Sequence, residues 1–80
     1  MNPQKLVKMA NEIAAFFEAE PDRKVVLEGI ANHLKRFWDP RMRRELLAHF
    51  QRGGEGLRDS VREALETHSQ KLTPAADGPR

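Results

Sequence analysis

The chain has 80 residues, of which 39% are hydrophobic and 32% charged, and its formal net charge is +2. A chain of this length holds one small core and no second folded unit, which excludes most self-contained enzymes and leaves a modest margin of stability. Cysteine is absent, so a disulfide framework, a thiolate metal site, an iron–sulfur cluster and a cysteine nucleophile are all excluded, as suits a reducing cytosol.

Helix signals follow one another along the chain. Asn2 before Pro3 reads as a cap followed by proline at the first helical position, where its missing N–H is no loss. Leu6, Met9, Ala10, Ile13, Phe16 and Phe17 then recur at steps of three and four, giving a helix over about 3–20 that Pro21 ends. Asp22 caps a second helix, about 23–38, whose apolar positions Val26, Leu27, Ile30, Ala31, Leu34, Phe37 and Trp38 form a broad stripe that suits a central element. Asp39-Pro40 repeats the cap and proline signal, because proline disfavours helical geometry in the residue before it. A third helix, about 40–52, buries Met42, Leu46, Leu47 and Phe50 and closes at Gly53-Gly54. A fourth, about 58–72, lines Val61, Ala64, Leu65 and Leu72 on one side, and residues 73–80 read as a flexible tail.

No stretch alternates at period two and tyrosine is absent; no strand is expected. The fold class is all-α: a single domain over 1–72, a bundle or orthogonal array of four helices with short connections. No apolar run reaches a membrane span, and the first residues lack a basic start followed by an apolar block, so a soluble cytoplasmic protein is expected.

The chemistry-bearing residues do not cluster. His33, His49 and His68 fall on three different helices without metal-ligand spacing, so no metal and no cofactor are expected on this chain. Ser60 and Ser69 lack a nucleophile-elbow context, and Gly53, Gly54 and Gly56 lack the strand and lysine of a phosphate-binding loop. No catalytic residue is expected.

The adjacent aromatics carry more information, because neighbouring residues on a helix point about 100° apart and a small bundle cannot take both inward easily. Two readings of Phe16-Phe17 and Phe37-Trp38 stay open: a central helix touching neighbours on two sides, or an exposed aromatic patch of the kind that marks a protein contact. The segment Lys35, Arg36, Phe37, Trp38, Asp39, Pro40, Arg41, Met42, Arg43, Arg44 joins a tryptophan, a sharp turn and five basic residues. Tryptophan and arginine are enriched at interface hot spots. Lys35, Arg36, Phe37, Trp38, Asp39, Arg41, Arg43 and Arg44 are therefore the candidate partner-binding residues, with Arg43 and Arg44 expected to be exposed. A nucleic-acid-binding helical module is the alternative from another class; the small net charge and the short Asp-Pro break count against it.

Several of these runs match a known pattern. Lys5-Leu6-Val7-Lys8-Met9-Ala10-Asn11, the Phe16-Phe17 pair, and above all the continuous run from Gly29 through Ile30, Ala31, Asn32, His33 and Leu34 to Arg43 closely resemble the delta subunit of NAD-dependent formate dehydrogenase. The likeness continues through Leu46-Leu47-Ala48-His49 and the glycine loop to Val61-Arg62-Glu63-Ala64-Leu65, covers about residues 3–66, and gives no pattern from Gln70 onward. The resemblance implies a small accessory subunit of a cytoplasmic molybdenum- or tungsten-containing complex. In that family the alpha subunit holds the pterin and iron–sulfur clusters and oxidises formate, and beta and gamma subunits pass electrons through flavin mononucleotide to NAD. The delta subunit is implied to carry none of these centres and to support assembly, stability or activity. A transient chaperone for cofactor insertion is the further alternative, and self-association is left open.

Overall fold

The computed structural model describes residues 2–74. They form five helices: α1 (Pro3–Phe17), α2 (Arg23–Phe37), α3 (Pro40–Gln51), α4 (Asp59–Thr67) and α5 (Ser69–Leu72). No strand occurs among the described residues, so the fold is all-α as the sequence indicates.

Three of the helix starts are built as their sequences require. Oδ1 of Asn2 accepts from the Gln4 amide at 2.7 Å, Oδ1 of Asp22 from the Lys24 amide at 3.0 Å, and Oδ1 of Asp39 from the Met42 amide at 2.9 Å. Each satisfies an amide that has no partner inside its own helix, a contribution of about 0.5–2 kcal/mol. At the end of α3 the Gly53 amide donates to the Phe50 carbonyl at 3.0 Å and the Gly54 amide to the His49 carbonyl at 2.9 Å. That is the paired closure of a Schellman motif, and it uses glycines at φ 117° and 64° where a side chain would be strained.

Helix α2 is the centre of the domain, packed against α1, α4 and α5. Its Val26, Leu27, Ile30, Ala31 and Leu34 are buried, joined by Leu6, Ala10 and Ala14 of α1, Leu46 of α3, Val61, Ala64 and Leu65 of α4, and Leu72 of α5. Each fully buried leucine or isoleucine among them contributes roughly 1.5–3 kcal/mol over exposure.

Two boundaries differ from the sequence reading. α1 stops at Phe17 rather than near residue 20, because Glu18 is its C-cap and the Glu20 amide turns back to the Phe17 carbonyl at 3.0 Å. The single fourth helix expected over 58–72 is broken at His68, whose φ and ψ of −113° and 27° leave the helical region. The break redirects the last turn so that Leu72 is buried, and α5 packs on both α2 and α3. Lys71 Nζ donates to Asn32 Oδ1 of α2 at 2.9 Å. Of the expected tail, the Thr73 amide bonds to the Ser69 carbonyl at 2.9 Å and Pro74 is buried; residues 75–80 lie outside the described residues.

α1 also organises the loop before α4. Asn11 accepts from the Arg58 amide at 3.0 Å and donates to the Gly56 carbonyl at 2.9 Å. The Glu18 carboxylate receives the Arg58 guanidinium through two bonds, at 2.6 and 3.1 Å, and also the buried Ser60 hydroxyl. α4 has no side-chain cap of its own, so a carboxylate from the neighbouring helix supplies negative charge near its first turn. These bonds to the ionised form hold the Glu18 carboxyl down at about 2, with the Arg58 bond the largest cause and the Ser60 bond next.

Candidate functional site

The fold divides the eight residues expected to bind a partner. Lys35, Arg36 and Phe37 end α2 and are exposed, as are Arg41 and Arg44 on α3. Asp39 is exposed but committed to capping α3 through the Met42 amide. Trp38 and Arg43 are the two that turn inward, at 5% and 8% exposure. The expectation that Arg43 is an exposed arginine is therefore corrected. It lies one turn along α3 on the side that faces α5, and its Nη1 reaches the Leu72 carbonyl at 3.4 Å while Nε is buried without a partner. Its aliphatic stem fills space in the interior, as long basic side chains can.

Each adjacent aromatic pair splits, one ring outward and one inward. Phe16 is 75% exposed and Phe37 68%, whereas Phe17 is half-buried and Trp38 is in the core. Phe16 and Phe37, placed on the apolar stripes of α1 and α2 by their spacing, are exposed, so of the two open readings the core one does not apply to these two rings. They do not stand alone. Phe16 and Phe17 meet edge to face with centroids 5.2 Å apart, Phe17 meets His33 at 6.4 Å, and His33 meets Phe37 at 4.8 Å. The chain of rings spans the seam between α1 and α2, above a groove lined by Met9, Ile13, Phe16, Phe17, His33 and Trp38, with Glu12 as its acidic wall.

Gly29 makes the groove possible. A Cβ there would stand 2.5 Å from Phe17 Cδ1, 2.6 Å from Cε1 and 3.0 Å from Cγ, closer than carbon atoms pack. The Phe17 ring thus lies directly on the α2 backbone. Met9, Ile13 and His33 were not among the expected site residues. The signal for them was the i, i+4 series 29, 33, 37 on one side of α2, opposite the series 9, 13, 16 on α1, with a glycine in mid-helix where helix propensity alone disfavours it.

The other chemistry-bearing groups remain apart. His49 Nε2 donates to the Glu55 carbonyl at 2.9 Å, closing the loop after α3. Among the described residues no three of His, Asp or Glu come together as metal ligands, and no helix is long and apolar enough to cross a membrane. A second concave region, between the α1–α2 turn and the start of α4, is polar and lined in part by the Glu18 to Arg58 ion pair.

These features define a small helical, cysteine-free protein in which the exposed Phe16 edges an interhelical groove and the exposed Phe37 stacks against His33 of its lining. The family model of the NADH-dependent formate dehydrogenase delta subunit FdsD matches residues 5–65, and the chain belongs to that family. Neither a curated protein nor a solved structure matches it.

Proposed function

We propose that this chain is a non-catalytic accessory subunit of a cytoplasmic NAD-dependent formate dehydrogenase, binding the catalytic alpha subunit within a complex that also contains beta and gamma subunits. In this reading it carries no cofactor and supports assembly, stability or activity of the complex. The match to the delta-subunit family over residues 5–65 is the observation that carries the proposal. The exposed Phe16 and Phe37 support it, since large apolar rings left in water on a small domain commonly mark a protein contact. The α2–α3 corner, with Lys35, Arg36, Phe37, Arg41 and Arg44 outward, is the part of the original segment suited to touch a partner. Trp38 and Arg43 shape that corner from within, and the exposed Asp39 caps its turn.

Affinity purification from the native cell through a tag on this chain tests the reading. Stoichiometric recovery of the formate dehydrogenase subunits is expected. Recovery of nucleic acid, or of an immature alpha subunit alone, would refute a permanent accessory role.

A further inference from the structure

Resting on the accessory-subunit reading, we propose that the α1–α2 groove is the seat for an amphipathic helix of the catalytic subunit whose apolar stripe is followed by acidic residues. α1 and α2 run antiparallel beneath it: Met9 shares one end with Trp38, and Phe17 covers Gly29 toward the other. From Met9 to Phe16 the floor is two helical turns, about 10 Å, long enough for a partner helix to place apolar side chains at i, i+3 or i+4 and i+7. A third helix laid along two packed helices is the ordinary way to cover such a seam.

Charge selects the occupant. Lys5 and Lys8 lie within the helical turn before Met9 on α1, Lys35 and Arg36 in the last turn of α2 before Trp38, and Arg41 in the first turn of α3, so five exposed cations fall on the helix turns at the Met9–Trp38 end, with Arg36 over the Phe37 ring at 5.9 Å. None of the five is paired with an acid among the described residues, whereas Arg23 and Arg58 elsewhere are bound to Glu63 and Glu18. Asp39, next to Trp38 in the chain, caps α3 through the Met42 amide. Glu12 lies farther along the groove wall, which confines the acidic requirement to one end of the incoming helix. Complementary charge there sets direction and register more than raw affinity.

A second copy of the chain is a poor occupant. The exposed large apolar side chains are Phe16, Val25 and Phe37, so no described helix offers a convex apolar stripe outside the groove itself. Two copies could meet only groove to groove, leaving the hollow unfilled.

The complex reconstituted with p-benzoylphenylalanine in place of Phe16 or Phe37 tests this, because both positions are exposed and tolerate the larger ring. Photocross-links to one apolar and acidic helical segment of the alpha subunit are expected. Phe16→Asp with Phe37→Asp should lower retention of the chain in the complex at least about tenfold, the worth of one well-packed aromatic anchor. Lys35→Glu with Arg36→Glu should weaken retention most at low salt. Circular dichroism of the isolated variants checks that they remain folded, and the cross-linking does not depend on them. Cross-links to a second copy, to nucleic acid or to a segment without acidic residues would overturn the proposal. So would a chain that co-purifies with the complex yet gives no cross-link from either position, while the accessory role itself would stand. A wild-type chain absent from the complex would overturn both.

Discussion

Replacing Gly29 by alanine opposes two effects of known size. In an exposed helix interior the change gains about 1 kcal/mol of helix propensity. Here the new methyl would sit 2.5 Å from Phe17 Cδ1 and 3.0 Å from Cγ, so the ring must retreat by about 1 Å to reach ordinary carbon contact. Because Cγ itself is involved, a flip of the ring does not relieve the clash; the side chain must swing or α1 must lift from α2. Overpacking of this kind costs about 1–3 kcal/mol. The net expectation is a loss of about 1 kcal/mol, a fall in Tm of roughly 4–8 °C for a domain this size. A double-mutant cycle isolates the cause. In a Phe17→Ala background the clash is gone and Gly29→Ala should raise Tm, giving a coupling of about 2 kcal/mol. If Gly29→Ala stabilises the wild-type chain by its full propensity gain, Phe17 does not rest on the α2 backbone and the groove has a different shape.

Three further outcomes are expected. Asp39→Ala removes the bond to the Met42 amide and should cost about 0.5–2 kcal/mol in thermal melts of the isolated chain. Arg43→Glu should destabilise by roughly 3 kcal/mol, because it puts an unpaired carboxylate where a buried guanidinium reaches the Leu72 carbonyl, while Arg43→Met should stay within about 1 kcal/mol. Chemical denaturation of the two variants beside the wild-type chain would read the difference. The third concerns acid: Glu18 titrates at about 2 in the fold against 4.5 for its ordinary value, so between those values the unfolded chain binds more protons. Stability from this group is complete above about pH 4.5 and is lost as pH falls toward 2; Glu18→Gln should flatten that acid limb in pH-dependent melts.

Local chemistry made much of the fold legible. Asn2, Asp22 and Asp39 each announce a helix by carrying the side-chain acceptor that a helix start lacks, and Gly53-Gly54 announces an end because only glycine accepts those positive φ values easily. What stayed hidden depends on partners far along the chain. The Glu18 carboxylate meets Arg58 and Ser60 forty and forty-two residues away, and no spacing rule reaches that far. The break at His68 follows from where Leu72 can be buried, not from a proline or glycine at the site. For Phe16-Phe17 and Phe37-Trp38 the sequence says that both rings of a pair cannot easily go inward; which one stays out depends on the gap left by Gly29 and on the capped turn at Asp39. Arg43 was misplaced for the same reason, since charge at an interior position is tolerated only once the stem has α5 to lie against.

Native mass spectrometry of the formate dehydrogenase purified through its alpha subunit, from cells with and without this chain, tests the accessory role most directly when paired with formate-dependent NADH formation. The expected result is a stoichiometric mass for this chain in the complete complex, lower complex yield or activity without it, and no turnover by the isolated chain. A complex of unchanged mass, yield and activity in its absence, or formate oxidation by this chain alone, would contradict the role.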